Sequence, residues 1–431
     1  PLEALKLLPA VDWAQGIRRA WEPGETGALN RLQKFASDAM ESYPASRDLP
    51  GEDATSKLSP HLRFGEISPS QIYHTVSIKA IHPHAAAGRD AFLRQLYWRE
   101  FAWYLLCHEP HTTESPLRPE FTRFPWNSSE TTWKAWRKGL TGYPMVDAGM
   151  RQLWTTGWTH NRVRMITASF LVKHLLTPWQ DGAYWFWDTL VDADLGNNTF
   201  GWQWTAGCGA DAAPYFRIFN PVTQGEKFDS DGSYIRHWLP ELAKLPTPWL
   251  HKPWLASPAL LKDAGIRGIK LHPEYQGFDV DDPRVRPLYR KIAELGMIVV
   301  FHAGFDMAYP PPCRCAPAML GRASEILDGA QVVAAHWGGF QMGLEALRDL
   351  KPAENLYLDT SYSHGKVLIP VVRALVDAHG PEHILFGSDT PWSPIGDEIR
   401  LIETMRLPAG ATRAILYENA HRLLSSVGAM E

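Results

Sequence analysis

Cysteine is scarce. The chain has four (Cys107, Cys208, Cys313 and Cys315) in 431 residues, too few to staple a protein of this length. That excludes a disulfide scaffold and suits a reducing compartment. No run of 18 or more apolar residues occurs, which excludes a membrane-crossing helix and any membrane partner reached through one. No basic, apolar leader ending in small residues opens the chain, so the expected location is the cytoplasm. An excess of one charge is also lacking. Lys+Arg 43 against Asp+Glu 47 leaves a net charge of -4, which excludes a strongly basic nucleic-acid coat but not a local basic groove. Low-complexity tracts and fixed-period repeats are absent.

What is present is uneven. Of 19 tryptophans, 17 lie between Trp13 and Trp254, and only Trp337 and Trp392 follow. Residues 1–254 carry 26 basic and 26 acidic side chains, and residues 255–431 carry 17 and 21. The length predicts two or three domains. The composition places a boundary near the Pro-rich stretch Pro246–Pro253.

Periodicity agrees. Apolar residues recur at helical spacing from Ala91 to Cys107 and from Asn161 to Leu176, and no convincing strand precedes residue 265. Beyond it, short apolar runs at Gly268–Leu271, Met297–Phe301, Gln331–Ala335, Leu356–Leu358 and Ile384–Phe386 alternate with helical stretches such as Pro283–Leu295 and Ile369–Ala378. This predicts a multidomain chain, an all-α first part and then about five parallel strands in an α/β arrangement.

Three segments of the first part call for chemistry. His160-Asn161-Arg162-Val163-Arg164-Met165 opens an apolar helix on which Asn161, Arg164 and Met165 share a face. Asp192-Ala193-Asp194 leads into Asn198 and Trp202-Gln203-Trp204. The segment 211–221 reads DAAPYFRIFNP. Together they resemble the flavin-binding helical domain of the DNA photolyase/cryptochrome family, over about residues 25–254. Residues 1–24 look like the remnant of a linker from the family's antenna domain, and 255–264 like a junction.

The resemblance implies FAD as cofactor, with site residues assigned position by position. Tyr43 and the run Thr55, Ser56, Lys57, Leu58, Ser59 match the diphosphate-binding segment, where hydroxyls and N–H groups suit phosphate oxygens. Arg164, Asp192, Ala193 and Asp194 match the isoalloxazine and ribose side. Asn198 matches the residue facing flavin N5, where photolyases have Asn and plant cryptochromes typically Asp. Trp202, Trp179 and Trp126 match the electron-transfer triad. Gln95, Trp98, Arg99, Asn161, Arg162, Met165 and Trp204 match the substrate pocket and its flanking DNA contacts. The implied activity is light-driven repair of pyrimidine dimers by electron transfer from reduced FAD, with dimer-containing DNA as partner. A damaged, poorly stacked base pair is inexpensive to flip toward a buried flavin. Gln95 departs from the Glu found in many cyclobutane photolyases; it keeps a hydrogen-bonding amide and loses the charge.

In the second part, three apolar runs lead to metal-capable side chains: His302 after Phe301, His336 after Ala335, and Asp389 in Gly387-Ser388-Asp389-Thr390-Pro391-Trp392. Side chains at the C-terminal ends of barrel strands converge on one site. This part resembles the amidohydrolase superfamily, a TIM-barrel fold, over about residues 264–424. The resemblance implies His302 and His336 as metal or substrate ligands and Asp389 as the carboxylate that binds the metal and serves as base, the metal being a divalent ion such as zinc. The family's first-strand His-x-His pair has no counterpart on a strand; His82-Pro83-His84 fits by letters alone, inside the helical part. Residues 265–431 also fall short of the roughly 250 of a closed barrel. The expectation is a half-barrel remnant with an incomplete metal site, no hydrolytic turnover, and open edges through which copies could associate. The alternatives are a blue-light photoreceptor of cryptochrome type, a metal-dependent hydrolase or decarboxylase residing in the second part, and a hybrid in which neither part works.

Overall fold

The computed structural model describes residues 12–79, 83–127, 129–212, 217–390 and 392–427. His82 and residues 213–216 of the DAAPYFRIFNP segment lie outside them. The chain divides after Leu255 into two compact units.

The first unit contains helices and turns, with no strand among its described residues. Its long helix α1 (Pro83–His108) extends beyond the predicted 91–107. The buried side of α1 presents Phe92, Leu93 and Leu96 to Leu32, Phe35, Tyr43, Leu58 and Ile72, and the Phe92 ring lies 4.5 Å from that of Phe35. Helix α2 (Asn161–Ser169) starts where His160 Nδ1 accepts the Arg162 N–H at 3.2 Å, an N-cap role filled by a ring nitrogen. It then widens into a π-type turn over Phe170–His174. Helix α3 (Trp179–Thr189) and helix α4 (Leu195–Ala206) cross tightly. At Gly182 of α3 an added Cβ would come within 2.1 Å of the Trp202 ring, so only glycine lets that indole lie against the helix backbone. Asp194 caps α4 by accepting the Asn197 N–H at 2.9 Å.

The second unit is built on five parallel strands in sequential order: β1 (Gly268–Leu271), β2 (Ile298–Phe301), β3 (Gln331–Ala334), β4 (Leu356–Asp359) and β5 (Ile384–Leu385). All five predicted runs become strands. The register sets Leu271 beside Phe301, Phe301 beside Ala334, and Ala334 beside Leu358. Alternation then divides the side chains. One face carries Val299, Phe301, Val332, Ala334, Leu356, Leu358 and Ile384, and packs against helices that include Arg286–Glu294, Pro317–Ile326 and Ile369–His379.

The other face is the one a barrel would enclose, and it is covered where a bare face was expected. Ile298, Val333, Tyr357 and Leu385 are all under 10% exposed and cluster with Leu423 and Val427 of the C-terminal helix α5 (Asn419–Ser426) and its end. The outer edge of β5 is occupied as well. Asn419 Nδ2 donates to the Ile384 carbonyl at 2.7 Å, and the Phe386 N–H donates to the Ile415 carbonyl at 3.0 Å. An amphipathic segment placed on bare sheet satisfies both the apolar surface and the unpaired edge. No helix among the described residues is long and apolar enough to cross a membrane.

Candidate functional site

In the first unit, α1, α2, α4 and the segment 43–59 enclose a cavity of about 560 Å³. Every residue assigned to the cofactor lines it: Tyr43, Thr55, Ser56, Lys57, Leu58, Ser59, Arg164, Asp192, Ala193, Asp194 and Asn198. So do Gln95, Trp98, Arg99, Asn161, Met165, Trp202 and Trp204. Residues more than 150 positions apart in sequence therefore share one wall.

The electrostatics of the wall are specific. Arg164 donates through Nη2 to Asp192 Oδ2 at 2.7 Å and through Nε to the Thr159 carbonyl at 2.9 Å. The carboxylate of Asp192 is 3% exposed and its guanidinium partner 24%, so this pair is worth more than a surface ion pair and fixes the cation beside the cavity. Asp194 accepts from Trp103 Nε1 at 3.0 Å in addition to capping α4. Asn198 donates its side-chain N–H to the Ala183 carbonyl at 2.9 Å, which fixes the amide on the α4 wall. Lys57 adopts a left-handed backbone (φ 51) and bonds Asp53 at 2.7 Å. Burial raises the Tyr43 phenol above its ordinary range and lowers the imidazole of His160 to about 4.

The fit of a large polar cofactor is supported by two atoms. Thr55 Oγ1 and Asp192 Oδ1 are buried in the wall of this cavity and have no hydrogen-bond partner among the described residues. Buried polar atoms are nearly always paired, so two such atoms in one cavity suit a ligand bearing donors and acceptors.

The tryptophans divide. Trp202 lines the cavity, is buried, and packs its ring 5.0 Å from Phe186. Trp179 is buried and Trp126 half-buried, and both line a second cavity of about 340 Å³ with Phe124 and Gln180. Sequence reasoning missed a further set of ring neighbours of Trp202. Its ring lies 6.3 Å from Trp136, which stacks at 5.4 Å on Trp133, which meets Trp185 at 6.5 Å, which stacks at 5.9 Å on the exposed Trp154. Only the abundance of tryptophan hinted at them.

Arg162 does not line the cavity. Its Nη2 donates to Asp48 at 2.8 Å and its guanidinium sits 4.3 Å from the Phe228 ring centre, so the carboxylate holds the charge that was expected to face DNA. Asp48 itself is on the cavity wall, with Arg47, Arg63 and Asn197, none of which sequence reasoning nominated.

In the second unit, polar side chains do gather where the strands end. His302 and His336 meet, Nδ1 to Nε2, at 3.1 Å. His336 and Trp337 both adopt φ of 58, a strained backbone for residues other than glycine. Asp359 holds them there: its carboxylate accepts the His336 N–H at 2.9 Å and its carbonyl the Trp337 N–H at 2.7 Å. Burial, with the neighbouring imidazoles, pushes His302 down to about 3. Asp389, however, is exposed. The only three metal-capable side chains among the described residues whose ligand atoms lie within 4.8 Å of one another are His272, His302 and Asp306. The expected set of His302, His336 and Asp389 does not close. The reason is local: the loop after β5 carries Asp389 out to solvent, whereas His272 follows β1 as directly as His302 follows β2. That strand-end position was the signal by which sequence reading could have found His272; Asp306, in a loop, gave none.

Residues 92–287 match the family described as the FAD binding domain of DNA photolyase, and residues 254–425 match the family described as amidohydrolase. The chain is 52% identical over 270 residues to the deoxyribodipyrimidine photo-lyase of Agrobacterium fabrum (strain C58 / ATCC 33970), covering 62% of this chain and 56% of that protein. It is 44% identical over 256 residues to cryptochrome-1 of Arabidopsis thaliana, covering 58% and 38%. Among solved structures, a bacterial class III photolyase from Agrobacterium tumefaciens aligns with a TM-score of 0.60 and 51% identity over 62% of this chain and 55% of that one. The chain spans about half the length of the curated relatives it matches.

Proposed function

We propose, from a chain that joins a photolyase-type FAD-binding region to an amidohydrolase-type region, that the first unit holds FAD and repairs pyrimidine dimers in DNA under blue or near-UV light. The observation that carries this reading is the single cavity on which the expected cofactor and pocket residues converge, with Thr55 Oγ1 and Asp192 Oδ1 buried in its wall and awaiting partners. When bound in its reduced form, the flavin supplies the electron that splits the dimer.

The chain's own residues hold, orient and shield. Thr55, Ser56 and Ser59 offer hydroxyls to the diphosphate. Arg164, anchored by Asp192 and the Thr159 carbonyl, places a fixed positive charge where an anionic reduced ring is favoured. Asn198, held by the Ala183 carbonyl, presents an amide, which donates as well as accepts and does not depend on pH. Trp98, 44% exposed and stacked 6.0 Å from Phe200, and Trp204, whose Nε1 donates to the Asp211 carbonyl, offer flat apolar surfaces to an extruded pair of bases. Gln95 points to an amide contact with the lesion; its Nε2 donates one N–H to the Ala91 carbonyl at 3.2 Å, which leaves its second N–H and its carbonyl oxygen to offer. Trp202, Trp179 and Trp126 run from buried to half-buried and relay charge between cavity and surface.

The test is an absorption spectrum and a repair assay on the full chain. We expect a flavin band that bleaches under blue light with a reductant, and loss of dimers from an irradiated oligonucleotide. Trp202→Phe should stop the bleaching while repair by chemically reduced protein persists. A folded but colourless protein would remove the reading; bleaching without any dimer loss would replace it with a photoreceptor.

A further inference from the structure

The amidohydrolase resemblance implies one metal set, and the structure closes a different one. We propose that the second unit binds a single divalent transition ion of the zinc class through His272, His302 and Asp306. This assignment does not depend on the flavin reading of the first unit.

The three side chains come from neighbouring points of the sheet. His272 and His302 directly follow β1 and β2, whose register pairs Leu271 with Phe301. The two imidazoles therefore emerge stacked, with ring centres 4.1 Å apart and planes within 7°; because a metal lies in the plane of each imidazole that binds it, one ring turns about its Cβ–Cγ bond for both to hold the same ion. Asp306 returns from the loop after His302 and brings Oδ2 to 3.2 Å from His272 Nε2. One ligand atom from each lies within 4.8 Å of the other two. All three residues are half-buried, so the cluster is fixed by its surroundings and still reachable from solvent.

The supporting shell suits His302 as a ligand. Its Nδ1 faces His336 Nε2 at 3.1 Å, and His336 Nδ1 in turn faces the Ser361 carbonyl at 3.0 Å. A proton on His336 Nδ1 is donated to that carbonyl. His336 Nε2 then accepts from His302 Nδ1–H, and a metal on His302 Nε2 takes the place of that atom's 3.3 Å contact with the Phe305 carbonyl. A relay that fixes the tautomer and ring plane is what metal-binding histidines ordinarily have. His336 is thus a positioning residue and not a ligand. His272 must adjust: its Nδ1 accepts the Tyr275 N–H at 3.2 Å, so its proton sits on Nε2, toward Asp306. On coordination through Nε2 that proton shifts to Nδ1, and the Tyr275 contact is given up. The proton count is unchanged.

The donor chemistry selects the ion. Two imidazoles and one carboxylate suit zinc, cobalt or nickel rather than calcium or magnesium, which want oxygen ligands. Three protein ligands leave at least one position for water.

The test uses the full chain, stripped with a chelator and titrated with Co²⁺ alone, followed by visible d–d absorption; Zn²⁺ is then counted by equilibrium dialysis. We expect one Co²⁺ per chain with a visible band, displaced by Zn²⁺. His272→Ala and Asp306→Asn should each weaken binding by about tenfold or more, and Asp389→Asn should leave it unchanged. Circular dichroism checks that each variant is folded; Asp306→Asn, a near-isosteric change in a loop, keeps the test valid if His272→Ala does not fold. No saturable Co²⁺ band in the parent protein would overturn the proposal. So would binding that survives Asp306→Asn, or binding that fails with Asp389→Asn while surviving Asp306→Asn.

Discussion

The two units handle buried polarity in opposite ways. In the first, polar atoms line a roomy cavity, and two of them, Thr55 Oγ1 and Asp192 Oδ1, find no partner among the described residues. In the second, the polar groups at the strand ends turn on one another: His302 on His336, His336 on Ser361, and Asp359 on the backbone of its neighbours. The first has the form of a receptacle whose walls are complete in one stretch of chain. The second is a sheet with fewer strands than a barrel, and its own C-terminal helix covers the face a barrel would enclose. A sheet of five strands therefore need not leave its inner apolar face bare.

The contrast can be broken most forcefully at Arg164. Arg164→Ala leaves the Asp192 carboxylate buried and unpaired, at a cost of about 3–5 kcal/mol to the first unit. Flavin retention should be lost, while Co²⁺ uptake by the second unit stays at the parent level. Absorbance after gel filtration reads the first and the d–d band the second; retained flavin would show that the pair is not the anchor.

Next in size is the covering helix. Leu423→Ala removes a buried side chain from the inner face and should destabilise the second unit by about 2–4 kcal/mol. Peptide-level hydrogen exchange should localise the loss to residues beyond Leu255, and sedimentation should show new self-association as the sheet face opens. Faster exchange in the first unit, or none anywhere, would contradict the assigned packing.

A smaller effect follows from His160, whose imidazole burial lowers from 6.5 to about 4. Between those values the unfolded chain binds a proton that the folded one refuses. The stability from burying the neutral ring is therefore full above pH 6.5 and is lost as pH falls toward 4. From pH 7 to pH 5 the first unit should lose about 2 kcal/mol through this residue. Urea unfolding followed by hydrogen exchange at both pH values measures it, and His160→Asn, which keeps an N-cap acceptor, should flatten the dependence.

The smallest effect is at Asp389. It is exposed, with φ of 60, a conformation that Asn tolerates as well as Asp. Asp389→Asn should change stability by no more than about 0.5 kcal/mol. A larger loss by thermal melting would return Asp389 to the buried site that the family resemblance implied.

Much of this was legible in the residues themselves. The strands of the second unit stood out because a short apolar run, repeated between helical stretches, has one low-energy use, a sheet buried on both faces. The helices from Ala91 and from Asn161 stood out by their spacing. The motif around Asp192–Trp204 carried the cavity because its members are local: Asp194 caps the helix that bears Asn198 and Trp202. The pairing of Arg162 went unseen because its partner, Asp48, lies 114 residues away. Asp306 went unseen because no pattern marks a loop carboxylate as facing a particular histidine.

The sequence by itself determined the elements, their order and the identity of the cavity's polar groups, since hydrophobic period, turn residues and caps act over a few positions. The tertiary structure decided which groups meet. It set Arg162 on Asp48 and placed His272, not Asp389, beside His302. It also folded Asn419–Ser426 over the inner face of the sheet. Those outcomes depend on long-range burial and edge pairing, where many distant partners compete for the same surface and only packing in three dimensions selects among them.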